Sequence, residues 1–123
     1  MRKFDDSKPI YLQIKEEIEH AIIQGRLKEE ENVSSIRALA QEYRINPQTV
    51  SNAMNELIND GILYKKRGIG LFVNQGAKEK LKSQKKREFR EYELENTIKK
   101  ARTLGIAVQE LIESIHAIYK KEE

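Results

Sequence analysis

The sequence predicts a mostly α-helical chain with one small β-hairpin, and three observations lead there. Apolar residues recur at three- and four-residue spacing in residues 9–24, 36–58 and 108–119. Residues that start and stop helices bracket these stretches: Pro9, Ser34-Ser35 and Asn46-Pro47 ahead of them, Gly25 and Gly61 behind. From Ile62 to Asn74 the helical spacing gives way to two short apolar runs around Arg67-Gly68-Ile69-Gly70, the pattern of two strands and a tip. With 123 residues there is room for one small domain and an appendage, expected at residues 1–75 and 76–123.

The first helix, residues 9–24, carries Ile10, Ile14, Ile18, Ala21 and Ile22 as its buried stripe. Pro9 suits its first turn, and Gly25 suits a left-handed stop. Lys28-Glu29-Glu30-Glu31-Asn32 then reads as an acidic, solvated connection.

Two short helices joined by a tight turn come next, and the rest of the chain is organised around them. The first starts at a Ser34-Ser35 cap and buries Ile36, Leu39, Ala40 and Tyr43. Asn46 is placed to accept a bond from an orphan N–H of the second helix, and Pro47 fits that helix's first position. The second helix turns Val50, Met54, Leu57 and Ile58 inward and leaves Gln48, Thr49, Ser51, Asn52 and Asn55 facing out. That outer face is polar, short and uncharged, whereas a face kept only for solubility usually carries Glu and Lys. Amides and hydroxyls are the groups that read base edges, and a two-helix motif of this geometry offers its second helix to the major groove.

Gly61 ends the motif, and the hairpin comes after it with Lys65, Lys66 and Arg67 in a stretch that has no acid from Ile62 to Asn74. Cations at a glycine-rich tip fit contact with a phosphate backbone, with Gly68 and Gly70 letting the backbone approach closely. The same charges would also guard an exposed sheet edge.

Residues 78–103 read as a long charged helix. At about 100° per residue, Leu81, Phe89 and Tyr92 share one flank, and Leu94, Ile98 and Ala101 nearly the opposite one. Such a helix touches two neighbours, its own first domain and another subunit. Its Lys run is expected to be a solvated face. Leu104-Gly105-Ile106 makes a corner, and a last helix runs to about Lys120 with Val108, Leu111, Ile112, Ile115, Ile118 and Tyr119 along one stripe. Two such helices make a poor core alone, so pairing with a second copy is expected, through Leu94, Ile98, Val108, Leu111, Ile112, Ile115 and Ile118. Folding back of the pair onto its own first domain is the alternative.

Composition narrows the function classes. There is no cysteine, hence no disulfide framework and no thiolate metal site. No apolar stretch is long enough to span a bilayer, and Met1-Arg2-Lys3-Phe4-Asp5-Asp6 lacks the apolar run of a signal peptide, so a cytoplasmic protein without membrane contact is expected. His20 and His116 each lack a sequence-near second histidine, so no metal site is expected, nor any other cofactor. No phosphate loop, nucleophile elbow or catalytic carboxylate cluster is present, which argues against an enzyme. Net charge is +3, but residues 1–61 hold eight Lys and Arg against eleven Asp and Glu, and residues 62–123 hold fifteen against nine. Nucleic-acid binding must therefore rest on local placement of charge.

Taken in order, Pro9-Ile10-Tyr11, Ser35-x-Arg37-x-Leu39-Ala40, Thr49-Val50, Leu57, Gly61 and Gly68-x-Gly70-x-Phe72-Val73 resemble the winged helix-turn-helix domain of the GntR family of bacterial transcription regulators. Asn46-Pro47-x-Thr49-Val50 looks most like the YtrA-type branch. The resemblance covers residues 9–74. It implies DNA contact by Arg37, Asn46, Gln48, Thr49 and Ser51, entry of the Gly68–Gly70 tip into a minor groove, and a short helical dimerisation tail. Three positions depart from the family pattern. Val33-Ser34-Ser35 lacks the usual proline, Ser51 stands where other branches often hold Arg, and Arg44 occupies a turn position that usually holds Gly. A left-handed Arg44 would cost on the order of 1 kcal/mol relative to Gly.

The expectation is thus a homodimeric regulator, a repressor, that binds an inverted repeat in double-stranded DNA. Ser35, Arg37, Asn46, Gln48, Thr49, Ser51, Asn52, Lys66, Arg67, Gly68 and Gly70 would form the DNA surface. About 45 residues of tail are too few to enclose a typical ligand pocket, so any small-molecule effector would sit at the dimer interface. A winged-helix protein-interaction module and a small-molecule sensor without DNA binding are the alternatives.

Overall fold

α1 (Ile10–Ile23) begins after Pro9 and buries Ile14, Ile18 and Ile22 as its spacing predicts. Ile10 is exposed, because the stripe reaches the core one turn later, and Gln13 and Glu19 are buried beside it instead. The computed structural model describes residues 4–122. The expectation that no signal peptide opens the chain rests partly on residues 1–3, which lie outside them. Gln13 explains why a polar group can sit at this depth. Its Oε1 accepts from Asp5 N at 3.1 Å, and its Nε2 donates to Asp5 O at 2.8 Å and Lys8 O at 2.9 Å. The segment ahead of α1 is thereby tied down, with Phe4 edge-on to Tyr43 at 5.5 Å.

α2 (Ile36–Tyr43) and α3 (Pro47–Asn59) form the helix pair. α3 is the element around which the first unit is built. It packs against α1, α2 and the sheet, with Val50, Ala53, Met54 and Leu57 inside. Truncating a core leucine such as Leu57 to Ala costs about 2–5 kcal/mol in sites of this kind. Lys15 clamps the contact between α1 and α3, its Nζ lying 3.1 Å from Glu56 Oε1 and 3.0 Å from Asp60 Oδ2.

The sheet has three strands where the sequence predicts two. β2 (Leu63–Lys66) and β3 (Gly70–Val73) make the hairpin. β1 (Asn32–Val33) adds to the far side of β3, giving the antiparallel order β1-β3-β2. Register pairs Asn32 with Phe72 across β1 and β3, and Tyr64 with Phe72 across β2 and β3. The acidic link is therefore structural and not simply solvated. Glu30 N donates to Val73 O at 2.8 Å, Tyr64 Oη donates to Glu30 Oε2 at 2.7 Å, and the Glu29 carboxylate accepts from Gly76 N and Lys78 N.

Helices α1, α2, α3 and α5 (Glu95–Thr103) all end in one way: an N–H just past the helix reaches back five residues to a carbonyl. The pairs are Arg26 to Ala21, Ile45 to Ala40, Ile62 to Leu57 and Ile106 to Ala101. The geometry needs a left-handed residue just before each of these donors. Three times it is glycine (Gly25, Gly61, Gly105), and after α2 it is Arg44, at φ 56° and ψ 49°.

The chain divides into two compact units, Met1–Ser83 and Gln84–Glu123. α4 (Ala77–Glu88) begins in the first, where Ala77 and Leu81 are buried. In the second, Phe89–Leu94 is a π-helical segment ahead of α5, and α6 (Val108–Glu122) comes after the Gly105 corner. The flanks drawn at uniform α-helical spacing do not hold across Phe89–Leu94, because a π segment bonds one residue further along the chain and winds more slowly. Among the described residues of this unit Ala101 alone is buried.

Candidate nucleic-acid interface

The expected DNA residues fall on three elements of the first unit. At the start of α2, Ser35 is the cap residue. Its Oγ accepts from Ala38 N at 3.0 Å, and Arg37 stands exposed two residues on. Ser35 thus has a structural task that any DNA contact would have to share.

α3 carries the second group. Asn46 caps it, its Oδ1 accepting from Gln48 N at 2.8 Å, so the first turn of the helix is held rigidly. Gln48, Asn52 and Asn55 are exposed. Thr49 and Ser51 are half-buried rather than fully outward, because both flank the wholly buried Val50. Gln48 and Asn52 meet directly, with Gln48 Nε2 donating to Asn52 Oδ1 at 3.0 Å.

The hairpin carries the third group. Lys65, Lys66, Arg67 and Gly68 are exposed, and Ile69 stands 63% exposed at the tip. Ile69 N donates to Lys66 O at 2.9 Å to close the turn, with Gly68 at φ +77°, the value a type II turn requires at its third residue. Gly70 is glycine for a second reason. Its φ is +145°, and a Cβ there would stand 3.1 Å from Asn32 Oδ1. Tyr64 and Phe72 stack at 5.8 Å, and Lys66 Nζ lies 4.7 Å from the Phe72 ring centre. The aromatic pair braces the hairpin and places the Lys66 cation; the lysines and arginine were legible in the sequence, but this support was not.

The expected pairing residues lie in the second unit. Leu94, Ile98, Val108, Ile112, Ile115 and Ile118 are exposed, and Leu111 is half-buried. His20 and His116 are exposed on separate helices. Among the described residues no helix is long and apolar enough to cross a membrane, and no three His, Asp or Glu come together as a metal would need.

The capped helix with its outward amide face and the cationic hairpin both lie within the stretch that matches known proteins. The family model described as bacterial regulatory proteins, gntR family, matches residues 10–73. The chain belongs to the GntR family. This makes it a DNA-binding transcriptional regulator rather than an enzyme. The GntR model's limits coincide with α1 at one end and β3 at the other. The GntR chain is 32% identical over 115 residues to the HTH-type transcriptional regulator YhcF of Bacillus subtilis (strain 168), with 92% of each protein covered. It is 34% identical over 112 residues to the HTH-type transcriptional repressor YtrA of the same organism, covering 91% of this chain and 85% of that one. Among solved structures, a GntR family transcriptional regulator from Listeria monocytogenes is similar with a TM-score of 0.74 at 32% identity, covering 93% of this chain and 98% of that chain.

Proposed function

We propose that this GntR-family regulator is a YtrA-like, cytoplasmic homodimeric repressor that binds an inverted-repeat operator with half-sites about one helical turn apart. The observation that carries the reading is the exposed Gln48–Asn52 face on a helix whose first turn is locked by Asn46 and whose back is buried at Val50, Ala53, Met54 and Leu57. Rigid presentation of donors and acceptors is what base recognition needs. In this reading residues 1–75 hold the DNA surface. Arg37, Lys66, Arg67 and the backbone at Gly68 and Gly70 would contact phosphates and the minor groove. Asn46, Gln48, Thr49, Ser51 and Asn52 would face the major groove, with Ser35 supporting the start of α2. Residues 76–123 would pair two copies through Leu94, Ile98, Val108, Leu111, Ile112, Ile115 and Ile118, whose largely exposed side chains have little to bury against within one chain. Any small-molecule effector would bind where the two copies meet. The length shared with the repressor YtrA supports the sign of regulation.

Selection from a pool of random duplexes tests this directly. The expected consensus is an inverted repeat, and replacement of Arg37 by Ala should weaken binding to all duplexes and reduce the salt slope by about one. Enrichment of no sequence, or a single unrepeated site, would contradict the proposal.

A further inference from the structure

A glutamine amide offers one acceptor oxygen and two N–H donors. In Gln48 one of those donors is engaged, because Nε2 donates to Asn52 Oδ1 at 3.0 Å. The side chain is left with Oε1 and a single N–H. Its backbone is equally fixed, since Gln48 N donates to the Asn46 cap at 2.8 Å. In the major groove adenine shows one acceptor, N7, and one donor, N6. Guanine shows two acceptors, N7 and O6. One donor and one acceptor match adenine, whereas guanine's edge needs two donors.

We propose that Asn52 is a positioning residue that restricts Gln48 to adenine by occupying the N–H that guanine would require. The inference rests on the DNA-binding reading above and adds the base that is read and the residue that enforces it. Asn52 then acts through Gln48 and does not itself read the base at that position.

Selection from random duplexes, run with the full-length chain and four variants, tests it. Wild type should enrich adenine over guanine at one position in each half-site. Gln48→Ala should flatten that position. Asn52→Ala frees the second N–H, so adenine should persist while guanine is admitted, lowering the adenine-to-guanine ratio on the order of tenfold. Asn52→Asp keeps an acceptor oxygen in place, so it should retain the ratio even as its charge lowers affinity for all duplexes. In a Gln48→Ala background, Asn52→Ala should change nothing at that position. A purely structural role for Asn52 would instead lower the melting temperature and leave the ratio intact, and an intact ratio overturns the inference. So does a change confined to a position that Gln48→Ala does not touch, which would make Asn52 a base reader in its own right. A clear consensus that Gln48→Ala leaves unaltered removes this inference but leaves the regulator standing, whereas the absence of any consensus removes both.

Discussion

The Tyr64 hydroxyl donates to Glu30 Oε2 at 2.7 Å and so joins the hairpin to the link that precedes the helix pair. That bond, with desolvation and the Glu30 charge behind it, holds the Tyr64 phenol above its usual value of 10. The neutral phenol is the donor, so the tie is complete at lower pH and is lost as pH rises through the raised value. Replacing Glu30 by Gln should bring the Tyr64 titration back down. Phenolate absorbance, read as the difference between each protein and its Tyr64→Phe counterpart, checks this, and coincident curves would show that Glu30 is not the cause.

Lys15 should matter to stability in a pH-dependent way. Burial pushes its ammonium down, but the hydrogen bonds to Asp60 and Glu56 and the charges of Asp60 and Glu19 outweigh this, and its pKa lies above the usual 10.5. A raised folded value means that the contribution is fully present below about pH 10.5 and disappears as pH climbs through the folded pKa. Lys15→Met should therefore destabilise the protein by about 1 kcal/mol near neutrality, a modest figure for a pair at the edge of solvent. Urea melts at pH 7 and pH 11 should show the gap to wild type closing. A gap of constant size would mean that the Lys15 charge is not what holds α1 to α3.

Arg44 occupies a left-handed position that glycine fills in three equivalent places in the same chain. Arg44→Gly should raise stability by up to about 1 kcal/mol, the relief of the side-chain clash being partly offset by the freer unfolded chain. The urea midpoint is the measurement, and a fall in it would show that the Arg44 side chain makes a compensating contact.

Ile115 is 55% exposed on α6. On the pairing proposed above, Ile115→Asp should give monomers where wild type gives dimers in sedimentation equilibrium, with little change in helicity. Dimers that persist at micromolar concentration would move the pairing surface elsewhere.

Helices α1, α2, α3 and α6 were legible because each carries a one-sided apolar stripe. Ser35, Asn46, Gly25, Gly61 and Gly105 do in the structure what their positions predict. The outward amides of α3 were legible for the same reason, being what remains once Val50, Met54 and Leu57 point inward. β1 was not legible, since two residues carry no period and three consecutive glutamates look like solvent-facing chain. The π segment was hidden as well. Its sequence, Phe-Arg-Glu-Tyr-Glu-Leu, buries nothing, and without a buried stripe there is no phase from which to notice a slip. The Gln48–Asn52 bond lay within reach, because four-residue separation on a helix brings such side chains together.

Between Phe89 and Leu94 the spiral has slack. A residue could be lost there without breaking the rod, because the remaining ones could tighten to ordinary winding. The slower winding spreads over six residues nearly the turn that five take at about 100° each, so side chains further along α5 would keep nearly their present bearing relative to Phe89. Ile98 and Ala101 would stay on their present sides. These six residues therefore hold one more than the winding needs, and a chain one residue shorter at this point would keep both its helix and its aim.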